Sequence, residues 1–487
     1  MKLAATDLSR VLGVRVPPLA NPVTSVTNDS RQVGPGAAYV AIRGFAQDGA
    51  DFAQAAVVAG AVLVVAEGEV PDLEGIPTVI VTDARIALAA LATELADHPS
   101  RGLTVYGITG TNGKTTSSYV LHSILTAAYG QPATGLLTTA EVVVGAHRTP
   151  AVRTTGEAPQ LQGNLALMRD EGVTHVVLET SSHGIHLHRV DGTHYAAALF
   201  TNLTRDHLDL HGDMESYFAV KRRLFEWTSG PKLANADDEY GARLADEIDG
   251  TLLFGTRDDA DYRIQDVRVE AGETYFGLRV PSGDVLNIRT PLLGDYNVHN
   301  VAGAAALALE MGMSGPTLID AVATMAQVPG RFERIAEARS RGIEVIVDYA
   351  HTDVGLREVL QVARGVADAT SGRLICVFGA AGDRDRAKRP LMGQVASKLA
   401  DVCIVTTDDA YTESPARIAD EVVAGGDPSR TVIELDRRSA ITSAIAQARP
   451  GDVVVIAGKG HEQVQHLPTG DVQFHDATVV RQLLTQP

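Results

Sequence analysis

The stretch Gly107-Ile-Thr-Gly-Thr-Asn-Gly-Lys114-Thr115-Thr116 gathers the residue types that bind phosphate. Glycines let the backbone approach an anion, and a helix opening turns its N–H groups toward it. Lys114 can reach the outer phosphates, and a threonine hydroxyl can join Mg2+. The stretch follows an apolar run at 103–106 that predicts a buried strand. It precedes residues 117–129, which predict a helix with Val120, Leu121, Ile124 and Leu125 along one side. The general pattern has glycine five residues before Gly113, where this chain has Ile108. Glycines stand at 107 and 110 instead, so the loop is a variant.

Other reactive types also end apolar runs. Residues 173–178 predict a strand ending at Glu179, whose carboxylate could hold Mg2+ or cap a helix. Residues 195–200 predict another, ending at Thr201-Asn202. The loop after it crowds Asp206, His207, Asp209 and His211, which make either a metal or phosphate site or a solvated turn. Lys221, with Arg222 and Arg223 beside it, reads by itself as a solvated basic turn. In the last third, the glycine-rich turns 378–386 and 458–462 follow strands, as do Asp408, Asp409 and Glu413. Such acids, with Glu462, would suit a cationic substrate whose carboxylate pairs with Arg384, or they would cap helices.

These turns need a scaffold of alternating strands and helices, since open α/β sheets place their chemistry at strand ends. Residues 1–98 predict a small α/β domain, with strands at 37–42 and 78–82 and helices at 52–59 and 84–96. A polar linker is expected at 98–102, an Ala-rich helix at 301–311 and a hinge at 328–331. Strands at 344–348, 374–378, 402–406, 431–435 and 453–456 predict a doubly wound sheet. The expected fold class is α/β in three domains, at 1–100, 101–328 and 329–487.

Composition narrows the partners. A net charge of −18 argues against a nucleic-acid or anionic-membrane surface. Cys376 and Cys403 both sit in apolar runs, as reduced core thiols would. The longest apolar run, 55–66, is too short to cross a bilayer and is broken by Gly60. Residues 1–13 lack the apolar core of a leader. The expectation is a soluble, cytoplasmic monomer.

Taken together, these motifs resemble the Mur ligase family, and within it the members that add the third residue of the peptidoglycan stem peptide. The matching stretches are the loop 110–116, Glu179-Thr-Ser-Ser-His183, His188-Arg-Val190, residues 201–212 and Lys221, fourteen residues after His207. Further on they include Asn297-Val-His-Asn300, Val328-Pro-Gly-Arg331, Asp348-Tyr-Ala-His-Thr352, Gly382-Asp-Arg-Asp385 and residues 458–462. Asp29-Ser-Arg31 and Asp48-Gly49 look like that family's uridine-nucleotide domain.

The resemblance implies a small N-terminal uridine-nucleotide domain, a central P-loop ATPase domain with a parallel sheet and a Rossmann-like C-terminal domain. It implies ATP and Mg2+, and UDP-MurNAc-L-Ala-D-Glu with a diamino acid as substrates. Asn28, Ser30, Phe45, Ala46 and Gln47 would hold the UDP end, and Thr154, Thr155, Ser181 and Arg189 the muramoyl-dipeptide. Gly110, Thr111, Asn112, Gly113, Lys114, Thr115 and Thr116 would hold ATP, with Asn300, Arg331 and Asp348 joining when the third domain closes. Thr115, Glu179, His207 and a side-chain-carboxylated Lys221 would be metal partners, and Lys114, Glu179, His207 and Lys221 the catalytic set. Arg384, Asp408, Asp409, Tyr411, Gly458 and Glu462 would hold the amino acid.

Departures from the family pattern bear on that amino acid. Ala380-Ala381 replaces a Cys-Gly pair, and Asp353 stands where proline is usual. Members that add meso-diaminopimelate carry Asp-Asn-Pro-Arg where this chain has Asp408-Asp-Ala-Tyr411. Tyr411 cannot pair with the extra carboxylate, so L-lysine is expected first, with L-ornithine or meso-diaminopimelate as alternatives. A folylpolyglutamate-type ligase conflicts with residues 25–49. A regulatory nucleotide switch lacks an Asn-Lys-x-Asp motif and leaves the last third unexplained.

Overall fold

The computed structural model describes residues 1–44, 47–73, 75–151 and 153–485. It forms two compact units. The first comprises Met1–Gln265, Gly277–Asn287 and His299–Val322, and the second Asp266–Phe276, Ile288–Val298 and Ala323–Pro487.

The first unit begins with four parallel strands, Ser25–Thr27, Ala37–Ala41, Ala61–Ala66 and Thr78–Ile80, lying side by side in chain order. The helix Ala84–Leu95 starts where Asp83 accepts hydrogen bonds from the amides of Arg85 and Ile86. It buries Leu88 and Leu91 in one core with Val40 and Leu63 of the sheet.

A larger sheet follows in the same unit. Eight neighbouring strands of it run Thr251–Gly255, Lys232–Asn235, Ala197–Phe200, Thr104–Thr109, His175–Glu179, Thr134–Leu137, Glu141–Val144 and His147–Pro150. The first six of these are parallel and the last two form an antiparallel hairpin arm. Thr104–Thr109 lies between Ala197–Phe200 and His175–Glu179, with Ile108 in register with both Leu199 and Glu179. Three strand ends therefore deliver the phosphate loop, Glu179 and Thr201 to one crest.

Two sequence expectations shift. The helix after the loop is Lys114–Tyr129, three residues earlier than expected, because Gly113 at φ +81° reverses the chain immediately before Lys114. The expected linker is packed and not open: Ser100 is buried, and its hydroxyl accepts the His194 amide at 3.0 Å. Local polarity at 98–102 did not reveal those distant partners.

The second unit is built on the strand order Glu333–Arg334, Glu344–Asp348, Val453–Ala457, Leu374–Phe378, Val402–Val405, Thr431–Ile433, parallel except for the first pair. Val453–Ala457 is an unbroken apolar run because helices cover both faces. Cys376 and Cys403 are buried opposite one another on neighbouring strands as free thiols. The expected hinge is also packed: Val328 is buried, and the Gly330 amide donates to Glu333 at 2.8 Å. Among the described residues, no helix is long and apolar enough to cross a membrane.

One buried ion pair ties the second unit's helices to its sheet. Arg437 and Asp476 are both 0% exposed and paired at 2.7 Å. Arg437 also donates to the carbonyls of Ala457 and Thr407. Removing one partner strands a charge inside the protein. Asp476→Ala should therefore destabilise this unit by about 3–5 kcal/mol, read as a lowered urea midpoint; an unchanged midpoint would contradict the account.

Candidate active site

Glycine is required at two points of the phosphate loop. Gly110 sits at φ +149°, and a Cβ there would fall 1.9 Å from the Thr201 hydroxyl. A Cβ on Gly113 would fall 2.2 Å from Asn300 Oδ1. The neighbouring crest braces the loop: the Thr111 amide donates to Asn202 O at 2.8 Å and the Asn112 amide to Asn202 Oδ1 at 2.9 Å. Gly113 offers no side-chain cap, so the first amides of helix Lys114–Tyr129 point to where an anion would bind. Lys114 Nζ donates to Thr111 O at 2.8 Å.

Glu179 is 1% exposed, and its carboxylate is the node of the site. It accepts from the Thr115 hydroxyl at 3.0 Å, the Thr139 amide at 3.1 Å and the Thr139 hydroxyl at 3.2 Å. Thr139 passes the network to Thr154 at 2.8 Å. The Thr155 hydroxyl donates to the Glu179 carbonyl and lies 3.0 Å from Ser181 Oγ. Arg189 is held by Glu157 at 2.8 Å and donates to Thr155 O. The structure thus brings Thr154, Thr155, Ser181 and Arg189 together with Thr115 and Glu179. Thr115 and Glu179 present a hydroxyl and a carboxylate, the hard-oxygen pair that fits Mg2+ bound mainly through phosphate and water. Among the described residues no three His, Cys, Asp or Glu side chains converge as a metal cage.

Lys221 corrects the reading of a solvated turn. It is 1% exposed, donates to Gly110 O at 2.7 Å, and lies 4.8 Å over the Tyr217 ring. Burial, and then Lys114 nearby, push its amine well below the usual lysine range. The Tyr217 hydroxyl is 3.2 Å from the Thr111 hydroxyl, so Lys221 and its neighbour both back the phosphate loop. His207 stands exposed at φ +53°, edge-on to His183 with ring centroids 4.6 Å apart. His299 and Asp237, 2.8 Å apart, line an open cavity of about 730 Å³ in the same unit; sequence reasoning missed both, although His299 is the neighbour of Asn300.

In the N-terminal sheet, Asn28 and Ser30 follow the first strand, and Gln47 is exposed. Phe45 and Ala46 lie outside the described residues. In the second unit, the Arg331 guanidinium lies 4.5 Å over the Tyr349 ring. Asp348, expected at the nucleotide, is buried, and its two oxygens accept the amides of Phe332 at 2.6 Å and Ala350 at 2.7 Å.

The acids at the strand ends of the second unit are also occupied. Lys459 is 0% exposed and bonds Asp409 at 2.7 Å and Glu462 at 2.8 Å. Sequence reasoning expected Asp408 and Glu462 to receive a substrate ammonium; Glu462 already meets an internal one, shared with Asp409. The signal available was the lysine between Gly458 and Gly460 at the end of a buried strand. Gly458, at φ +114°, leaves room for Asp408, whose Oδ2 would lie 2.2 Å from a Cβ. Tyr411 takes a left-handed backbone at φ +48°. Its ring stacks on His466 at 5.2 Å, and Arg384 lies 5.4 Å over it.

Comparison with known proteins matches three family models in order: "Mur ligase family, catalytic domain" over residues 22–96, "Mur ligase middle domain" over 108–308, and "Mur ligase, glutamate ligase domain" over 330–460. A protein of Solibacter usitatus is 41% identical, over 95% of this chain and 93% of its own length. One of Geobacillus kaustophilus is 40% identical over 99% of both. Both are named UDP-N-acetylmuramoyl-L-alanyl-D-glutamate–2,6-diaminopimelate ligase. A solved structure of that same name is 32% identical, with a TM-score of 0.68 over 99% of both chains. MurF from Acinetobacter baumannii shares the fold at 18% identity, with a TM-score of 0.67 over 100% of this chain and 99% of its own.

The loop geometry makes a direct test. Gly113→Ala, strained at φ +81° and clashing with Asn300, should weaken ADP binding at least about tenfold by calorimetry while leaving far-UV circular dichroism unchanged. Unaltered affinity would show that the nucleotide sits elsewhere.

Proposed function

This chain belongs to the Mur ligase family, and from that premise we propose that it makes UDP-MurNAc-tripeptide by joining an amino acid to UDP-MurNAc-L-Ala-D-Glu. It is an ATP-dependent acid–amino-acid ligase of the three-domain α/β type. The boundaries 1–100, 101–328 and 329–487 remain proposed ones. The observation that carries the substrate reading is the Glu179 node. Its carboxylate meets Thr115 of the phosphate loop, and its carbonyl meets Thr155, one of the residues expected to hold the dipeptide.

The reaction brings two anions together. A glutamate carboxylate attacks the γ-phosphoryl group of ATP, ADP leaves, and an acyl phosphate remains. Loop amides and Lys114 stabilise the charge that develops on the phosphoryl oxygens. Mg2+, when bound, supplies further positive charge there; Thr115 and Glu179 would hold it, with His207 and Lys221 beside them. Thr155, Ser181 and Arg189 orient the acid. The amino acid's amine then attacks the acyl carbon, and phosphate leaves. The cavity beside His299 suits the nucleoside, because His299 adjoins Asn300 at the loop. ATP as a substrate fits a cytoplasmic reaction.

Lys221 is proposed to be carboxylated. Addition of CO2 needs the neutral amine, and burial favours that form. The product is an oxygen ligand where an ammonium would repel a cation. Lys221→Ala should lower turnover at least about a hundredfold, and short carboxylic acids should restore part of it. Full activity in the variant would refute the assignment.

For the amino acid, 2,6-diaminopimelate now comes before L-lysine. The relatives' names favour it. The charge argument against it also weakens, since Lys459, shared by Asp409 and Glu462, already offsets one of their two charges, and Arg384 stands over Tyr411. L-lysine or L-ornithine is the second reading, favoured by tyrosine in place of arginine at 411. The ratio of kcat/KM decides: diaminopimelate should lead by at least about tenfold, or about 1.4 kcal/mol. A lead for either monocarboxylate would reinstate the Tyr411 argument.

A further inference from the structure

Two loops of the second unit carry the residues assigned to the amino acid, and one buried arginine ties them together. Arg389 opens the helix Lys388–Leu399 and is 0% exposed. It forms a fork on Glu413, with Nη1 to Oε2 at 3.0 Å and Nη2 to Oε1 at 2.8 Å. Nη2 also donates to Ala381 O at 3.1 Å, and Nη1 to Glu421 at 2.7 Å. Arg386 is a second cation on Glu421. One guanidinium thus holds the loop before Arg384 and the loop after Tyr411 at once.

The loops are also stitched directly. The Asp383 amide donates to Glu413 at 2.7 Å. The Asp383 carboxylate accepts the Thr412 amide at 3.1 Å and its hydroxyl at 2.8 Å. The Gly382 amide donates to Asp409 O at 2.7 Å, and a Cβ on Gly382 would fall 2.0 Å from Ala410 O. Asp383 and Tyr411 are both left-handed, at φ +51° and +48°, conformations that non-glycine residues hold only when their surroundings enforce them. The enforcing contacts flank Arg384 on one loop and Tyr411 on the other. Arg389 holds the Glu413 carboxyl down at about 2, so this anchor stays charged across the neutral range.

We propose that Arg389, through Glu413 and Asp383, is a positioning residue that sets the spacing of Arg384 and Tyr411 and thereby the affinity and selectivity for the incoming amino acid. The proposal rests on the ligase reading above. Arg389 touches neither nucleotide nor acid in that scheme, so its effect falls on the second half-reaction.

Full-length Glu413→Gln and Asp383→Ala are the variants to use, because Arg389→Ala strands a buried site and need not fold. Steady-state phosphate release would be followed with 2,6-diaminopimelate, L-lysine and L-ornithine. A single turnover with ATP and UDP-MurNAc-L-Ala-D-Glu, without amine, would follow ADP formation. Both variants should raise KM for the preferred amino acid at least tenfold and narrow the selectivity among the three. KM for ATP and the single-turnover rate should stay within twofold. In the same assays Arg389→Lys, which keeps the charge and loses the fork, should fall between wild type and Glu413→Gln. A folded variant with unchanged amino-acid KM, or one in which all KM values rise together, would overturn the proposal. Wild type idle with every amino acid would overturn the ligase reading itself, and this proposal with it.

Discussion

A carboxylate buried at the end of a central strand has to be satisfied inside the protein, and Glu179 determines how the first unit arranges its crest. An orphaned buried acceptor costs about 1–3 kcal/mol, more when charged. Glu179 avoids that cost through Thr115 in the first turn of a helix and Thr139 in a loop after a neighbouring strand. The register beneath leaves little choice: Ile108 is opposite Glu179 on one side and Leu199 on the other. Phosphate loop, carboxylate and Thr201 crest therefore arrive together. Satisfying one acid assembles the groups that would handle phosphate and those that would orient the acid to be activated.

Buried cations do the corresponding work elsewhere. The chain carries a net charge of −18, yet Lys221, Lys459, Arg389 and Arg437 are almost wholly out of water. Three of them are paired with carboxylates and rest in place as ion pairs. Lys221 differs, since its Nζ is hydrogen-bonded to a carbonyl at 2.7 Å and a hydroxyl at 3.5 Å, and its amine is pushed toward neutrality. A lysine held by neutral oxygens is poised for chemistry, whereas a lysine clamped by two acids is structural. The contrast between Lys221 and Lys459 follows from what each one faces.

Local signals were legible in the sequence and distant ones were not. The phosphate loop could be read because glycine, lysine and threonine act within ten residues, between a strand and a helix. The buried strands were read from unbroken apolar runs such as 453–457. Lys221 looked solvated because Arg222 and Arg223 adjoin it; its burial comes from Gly110, more than a hundred residues away. Lys459 was passed over for the same reason, since Asp409 is fifty residues off. Asp348 was expected at the nucleotide from its motif alone; that its oxygens accept the amides of Ala350, two residues on, and of Phe332, sixteen residues back, was not legible there.

The amino-acid question shows why a single motif position is a weak guide to selectivity. Counting charges along 408–411 gives an acidic pocket that should reject a second carboxylate. Counting them in space adds Lys459 between Asp409 and Glu462, and Arg384 over the Tyr411 ring. The two cations offset two of the three acids, so the local field that would reject an anion is weakened. On the proposed reading, discrimination would then depend less on net charge than on where the Arg384 guanidinium is held. A planar cation reads a carboxylate through two parallel hydrogen bonds, whose strength falls steeply with misalignment. Under that proposal, selectivity would be a property of loop geometry.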